Sequence, residues 1–599
     1  MVRLQTRTLP ALVQTSSKEF AKKTAFTLFE NDTIAQLITY KDFGNYSIAL
    51  AQTLQHLGVQ PGDRVMLLAE NRPEWPIAYF GISLAGGIIV PVLTDFIAEH
   101  ISTVAAHAGI SAICATEKTL PKLQAANIDP AIPILKLDTL DGNGITVSIQ
   151  GQETRLPCTT ASRATLQSEP FIPHTPQEDD VAVIIYTSGT TGNSKGVMLT
   201  HKNLIFEAQA CRSIIKIFPR DRFLSVLPLA HTYECTIGMI IAVLNGASTT
   251  YLGKPPTPAI LLPALTAVRP TIMLTVPLII EKTYRSKIKP ALESHPLYKL
   301  PLTRKLAIKA AGRKLLGAFG GAVRFFGIGG AALSADVEEF LYKAQFPYAI
   351  GYGLTETAPL LAGAPPFKQV LRSTGPALTG VELRIVDQEG RIVGGIGAGP
   401  DAKEHAEGEI QARGPNVMKG YYRDPEKTAE VFTEDGWFKT GDLGSMDSKG
   451  RLFIRGRLKA MILGPSGENI YPEEIESILN STGYIEDSLV YSTEKGELVA
   501  LVVLNERART MIAAASDMAH EAGQHVGDAF HSVTHATQHA VSGTIDSLGH
   551  LLNELKTATN KRLAAFSRIH RIEIQDEPFE KTATQKIKRF LYPKNTNKN

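Results

Sequence analysis

The chain is 599 residues long, 44% hydrophobic and 20% charged, with a net charge of +3 at pH 7. The length supports several folding units with large cores, the composition is that of a soluble globular protein, and no global charge excess argues for a nucleic-acid partner. Cys114, Cys158, Cys211 and Cys235 are scattered without CxxC spacing, which excludes a zinc ribbon and reads as a reduced, cytosolic chain without a disulfide framework.

The N-terminus, MVRLQTRTLPALVQ, lacks the continuous apolar run of a signal peptide, so none is expected. Short β-branched runs then alternate with helical periodicity: DRVMLLAE (63–70), AVIIYTS (182–188) and TIMLTVP (271–277) read as strands, and the alternation predicts α/β layers. Pro76 to Leu93 is uncharged and long enough to suggest a membrane span, but Gly86-Gly87 and Pro91 interrupt it. It reads instead as a buried helix from Glu74 followed by a buried strand, IIVPVL. Leu140 to Asp179 reads as loop or weak strands, and Gly394 to Glu407 as a loop. The texture changes after Arg455, which places a domain boundary near Arg457 to Lys459. From Met511 to Lys556 apolar residues recur at three- and four-residue steps, predicting an amphipathic helical stretch broken near Gly543 and carrying six histidines.

The most informative string is YTSGTTGNSKGVMLTHKNL (186–204), directly after an apolar strand. Gly189 and Gly192 let backbone N–H groups approach an anion, Thr187, Ser188, Thr190 and Thr191 add donors, and Lys195 adds positive charge. That chemistry suits a polyphosphate, although the spacing is not that of a Walker A loop. The string resembles the signature loop of the adenylate-forming superfamily, which includes acyl-CoA synthetases, adenylation domains of nonribosomal peptide synthetases and firefly luciferase. Ser194 stands where the family usually has proline.

The resemblance runs from about Lys18 to Arg589. LPLAHTYE (227–234) is similar to the form seen in long-chain acyl-CoA synthetases, and by it His231 lies beside the substrate carboxylate. GIGGAALS (327–334) matches a turn that lies against adenine and acyl group, which assigns Gly330 and Ala331. YGLTET (352–357) implies that Tyr352 stacks on adenine beside Gly353, that Thr355 contacts the α-phosphate, and that Glu356 holds Mg²⁺, a hard oxygen on a hard cation. GEIQARGPNVMKGYYRDPEKT (408–428) matches a motif read as structural. WFKTGDLG (437–444) assigns Asp442 to the ribose hydroxyls. RLFIRGRLKAMILGPSGENIYPEEIE (451–476) resembles the family's hinge region, which implies that Arg457 reaches ribose or phosphate, that Lys459 is the hinge and that Gly467 lies in the loop for the thioester step. KTATQKIKRF (581–590) assigns Lys586 to the attacking carboxylate and the α-phosphate, with Gln585 where the family commonly has glycine.

The resemblance implies an α/β fold: a large N-terminal AMP-binding domain (1–456) of α/β layers with a β-barrel-like part, and a small mobile α+β C-terminal domain (457–599) with a helical insertion at about 511–556. It implies ATP, Mg²⁺ and coenzyme A, and activation of a fatty acid, long-chain by the 227–234 form and by RPTIMLTVPLIIEKTY (269–284). Transfer to an acyl carrier protein, arrest at the adenylate, and a degenerate lipid-binding scaffold are the alternatives. The expected location is cytoplasmic. Peripheral association with the inner membrane surface and a homodimer stay open. Lys and Arg are missing from 511–555, so that stretch is not expected to seek anionic lipid, and a helical arm on the small domain or on another subunit is the reading preferred over a zinc site on His531, His535 and His539.

Overall fold

The structure, a computed structural model, describes residues 1–141, 144–157, 173–187, 195–399, 402–463, 469–493, 496–513, 535–581 and 587–592. The chain forms two compact units. The first comprises Met1–Leu333, Glu338–Thr440 and Ser445–Phe453, the second Ser334–Val337, Gly441–Gly444 and Ile454–Asn599.

Two large mixed sheets build the first unit. One has nine strands, in the order Gly420–Tyr421, Lys195–Thr200, Val181–Thr187, Ile88–Pro91, Arg64–Leu68, Ile110–Ala115, Ile134–Lys136, Gly144–Ile149 and Gln152–Pro157. Its middle is parallel and its margins are antiparallel. The other has eight, in the order Leu360–Gly363, Tyr348–Gly353, Phe325–Ile328, Ile272–Thr275, Arg222–Leu224, Ser248–Leu252, Thr24–Glu30 and Thr33–Thr39. A third, six-stranded sheet includes Glu382–Val386, Glu407–Arg413, Phe438–Met446 and Arg451–Arg457. This mixture of parallel sheets and helices is the α/β class that the alternating pattern predicts.

The three strands expected from β-branched runs form as Arg64–Leu68, Val181–Thr187 and Ile272–Thr275. Glu74–Leu84 is a helix with every residue buried, and Ile88–Pro91 follows as a parallel strand between two others. A helix apolar all round belongs in a core, where each buried aromatic or leucine side chain contributes roughly 1.5–3 kcal/mol. Trp75 stacks on Tyr79, and Phe80, Phe43 and Phe26 continue the cluster edge to face. Among the described residues no helix is long and apolar enough to cross a membrane. The polar stretch after Leu140 yields a hairpin, Gly144–Ile149 with Gln152–Pro157, at the margin of the nine-stranded sheet.

In the second unit Leu498–Leu504 is buried along its whole length, pairing antiparallel with Ile485–Ser492 and parallel with Arg571–Ile574. Successive side chains of a strand face opposite sides. On one side Ala500, Val502 and Leu504 share a core with Ile475 and Leu479 of the helix Pro472–Asn480 and with Leu548, Leu551, Leu552 and Leu555 of the helix His535–Asn560. The C-terminal part of the amphipathic stretch is therefore an arm packed within this unit. Residues 514–534, with His531, lie outside the described residues, as do the side chains of His535 and His539. On the other side of the sheet Val499, Leu501 and Val503 pack with Phe579, and Ile587 and Tyr592 lie against that cluster.

Candidate active site

The strands on either side of the expected phosphate loop pair antiparallel. Thr187 ends one strand, Lys195 begins the next, and the two are directly opposite. Ser188, Gly189, Thr190, Thr191 and Gly192 lie outside the described residues. The strand after the loop runs into the helix His201–Ala210 through a capping box in which Thr200 and Asn203 satisfy each other's backbone N–H.

YGLTET follows the strand Tyr348–Gly353 at the margin of the other large sheet. Tyr352, Thr355 and Glu356 are partly exposed, as residues meeting a ligand must be. Gly353 is required sterically: a Cβ there would fall 1.8 Å from the carbonyl oxygen of Pro359. The Thr357 hydroxyl fixes the turn, donating to Pro359 O at 2.7 Å and accepting from Leu354 N at 3.0 Å.

The segment 414–422 stitches the two sheets together. Its strand pairs with the one after the phosphate loop, Val197 opposite Tyr421, and Met418 N donates to Glu356 O at 2.8 Å. The buried Asn416 amide donates to Thr357 O at 3.1 Å and Leu360 O at 2.8 Å. It also donates to Glu207 at 3.3 Å, a carboxyl that burial pushes up to about 8 and so holds neutral at pH 7. Tyr421 then joins two predicted site residues. Its hydroxyl donates to Glu356 Oε1 at 3.0 Å, and its ring lies under Lys195 Nζ, 4.7 Å from the centroid. The sequence assigns the motif holding Tyr421 a structural role only, and does not single this residue out. The Gly-Tyr-Tyr string before an Asp–Pro helix start was the available signal.

Glu356 fits a magnesium nucleotide, because Mg²⁺ is ordinarily held by one or two carboxylates with substrate phosphates completing its shell. Among the described residues no cluster of three or more His, Cys, Asp or Glu forms an all-protein metal cage. A hydrogen bond from Tyr421 orients this carboxylate. Tyr421→Phe keeps the ring beneath Lys195 and removes the donor, so adenylation is expected to fall about tenfold with a raised Mg²⁺ requirement. Titrating Mg²⁺ in a pyrophosphate-exchange assay checks this.

His231 begins the turn into the helical segment Tyr233–Ile240. The preceding loop is pinned by Asn71, which donates to Leu227 O at 2.6 Å and accepts from Leu229 N at 2.9 Å. Tyr233 lies against the Gly/Ala turn: a Cβ at Gly329 would meet its ring at 3.2 Å. Gly330, with φ +85, and Ala331 are exposed, and Gly330 faces Val276 at the end of the strand Ile272–Thr275.

Within the second unit, Asp442 Oδ1 and Arg457 Nε are 2.8 Å apart, so the two residues assigned to ribose and phosphate are ion-paired. Lys459 is exposed in the single turn Leu458–Ala460. Gly467 and Lys586 lie outside the described residues. The chain on either side of 582–586 is anchored: Lys581 pairs with Asp487 at 2.6 Å, and Arg589 with buried Glu476, which also accepts from Val490 N at 2.7 Å. The described flanks of the basic C-terminal motif are thus packed on the sheet through Phe579, Ile587 and Tyr592.

Residues 13–422 match the family described as AMP-binding enzyme, and the chain belongs to that family. It is 32% identical over 490 residues to long chain acyl-CoA synthetase 6, peroxisomal, of Arabidopsis thaliana, covering 78% of this chain and 68% of that protein. It is 30% identical over 508 residues to the long-chain-fatty-acid–CoA ligase FadD15 of Mycobacterium bovis, covering 79% and 78%. A long-chain-fatty-acid–[acyl-carrier-protein] ligase of Arabidopsis thaliana, AEE15, matches at 28% over 576 residues, covering 84% and 76%. In fold the chain resembles ATP-bound MatB from Rhodopseudomonas palustris, with a TM-score of 0.71, 24% identity and 98% of each chain covered.

Proposed function

We propose that this protein activates a long-chain fatty acid with ATP and passes the acyl group to coenzyme A. The observation that carries the reading is the Lys195–Tyr421–Glu356 array beside the YGLTET turn, in a chain whose extended relatives are named as long-chain acyl-CoA synthetases. An acid oxygen attacks the α-phosphorus of ATP. The bond to pyrophosphate breaks, leaving acyl-AMP. The coenzyme A thiol then loses its proton and attacks the acyl carbonyl, and the bond to AMP breaks. The protein's contribution is positioning and electrostatic stabilisation of charge on the phosphoryl oxygens.

Residue roles follow the chemistry of each group. Lys195, with Thr187 and Ser188 to Gly192, takes the polyphosphate. Thr355 and Lys586 take the α-phosphate, and His231 orients the acid. Tyr352 takes adenine beside Gly353, Gly330 and Ala331. Asp442 and Arg457, held together by their ion pair, take the ribose. Glu356 holds Mg²⁺, which when bound neutralises phosphate charge. Lys459 is the hinge at a boundary between 456 and 457, and the Gly467 loop serves the thioester step. Coenzyme A rather than a carrier protein is the acceptor in the first-choice reading, and a carrier-protein ligase among the relatives keeps that comparison as the control. AMP release across acids of graded chain length, with coenzyme A, with carrier protein and with neither, tests it.

A further inference from the structure

The strands Ile272–Thr275 and Phe325–Ile328 are parallel neighbours, and a single helix suffices to connect such a pair. Here the connection contains the long helix Pro301–Ala318 preceded by several short helical pieces from Pro277 to Lys299. The long helix is docked by its inner face: Ala307, Ile308, Gly312 and Leu315 are buried, and a Cβ at Gly312 would lie 2.7 Å from that of Ala344. Its opposite face carries Leu302, Leu306, Lys309 and Arg313 at helical spacing, with Lys305 and Lys314 on the flanks, all exposed.

Leu302 is 94% exposed, Leu306 64% and Leu300 57%, an arrangement that costs hydration unless something covers it. The turn bearing Leu297 and Leu300 is tied to the same end of the helix, since Thr303 Oγ1 donates to Leu297 O at 2.7 Å and Arg304 stacks on Tyr298 at 4.5 Å. Charge identifies the occupant. Residues 281–320 hold ten Lys and Arg against two Glu, in a chain whose net charge is only +3. Two such faces repel each other, which disfavours a second copy, and bare leucines gain nothing on nucleic acid. Leucines that insert and cations that meet headgroups suit one surface, an anionic lipid bilayer.

We propose that residues 297–314 form the face by which this protein docks on an anionic bilayer. The amphipathic stretch 511–555 carries no Lys or Arg; the structure assembles cations on this crossover instead. The crossover starts at Val276, the residue facing Gly330 of the proposed acyl turn, so docking would draw a bilayer-borne acid toward that turn. Only this last point rests on the functional reading.

The test is flotation of the full-length protein, without ATP or acid, on vesicles of phosphatidylcholine alone or with phosphatidylglycerol. The protein is expected to float with the anionic vesicles, to be released by raised salt, and to bind more than about tenfold more weakly as Lys305→Glu/Lys309→Glu/Arg313→Glu. Leu302→Trp adds a reporter, because Trp75 and Trp437 are both buried. Its added emission is expected to shift to the blue on anionic vesicles. AMP release by the charge-reversed variant on a soluble short acid is expected to match the wild type, which certifies folding. The proposal is overturned if the charge-reversed protein floats as well as the wild type, if the wild type floats with neither vesicle, if the reporter does not shift while the protein floats, or if Leu302→Ser/Leu306→Ser dissolves a dimer that does not bind vesicles.

Discussion

Lys586→Ala is expected to abolish acyl-adenylate formation while leaving thioester formation from supplied acyl-AMP largely intact. The attacking carboxylate and the α-phosphate are both anionic, and a lysine shared between them lowers their repulsion and stabilises the charge that builds at phosphorus. Removing one such electrostatic donor costs about 10²- to 10³-fold in related settings. In the second half-reaction the nucleophile is a thiol and the leaving group is AMP, so this lysine has no corresponding task. The described flanks of 582–586 are anchored: Lys581 on Asp487, Arg589 on buried Glu476, and Phe579 and Tyr592 packed on the sheet. Pyrophosphate exchange and coenzyme A capture of synthetic acyl-AMP, measured separately, check the split. Equal loss in both assays would remove Lys586 from the proposed role.

Glu356→Gln is the second large effect. The substitution is nearly isosteric and can still meet the Tyr421 hydroxyl, so the turn is expected to fold. It replaces an anionic oxygen with a neutral amide, a much poorer partner for a hard divalent cation. Adenylation is expected to fall by roughly 10²-fold or more, with a steeply raised Mg²⁺ requirement. Tyr421→Phe, with its smaller loss, should shift the same Mg²⁺ curve in the same direction. If Glu356→Gln lowered the rate without moving the Mg²⁺ dependence, the carboxylate would be serving the turn and not a metal.

What could be read from sequence was what depends on local order. The apolar run from Glu74 announced a core helix because no face of it was polar, and Gly86 at φ +90 marks where it had to stop. The strand before the phosphate loop was legible from AVII, but its antiparallel pairing with the strand from Lys195 came only from the structure. Tyr421 was not legible in this way. It reaches Glu356, 65 residues earlier, and Lys195 only because two strand registers bring it there, and no periodicity reports a register across such a span. Glu207 is similar: on a helix it resembles any surface acid, and only its burial against Asn416 reveals a neutral carboxyl. The Asp442–Arg457 ion pair joins two residues that were assigned separately to one nucleotide. The lysines and leucines of 297–314 were visible as letters, but which of them faced solvent depended on where the helix docked.

The central claim, that this chain makes acyl-AMP from long-chain acids and resolves it with coenzyme A, is tested most directly by AMP release over acids of increasing chain length, with and without coenzyme A. The account predicts turnover that rises toward long chains and depends on coenzyme A, with only slow release in its absence. Absence of AMP release with every acid, or release unaltered by coenzyme A across the series, would contradict it.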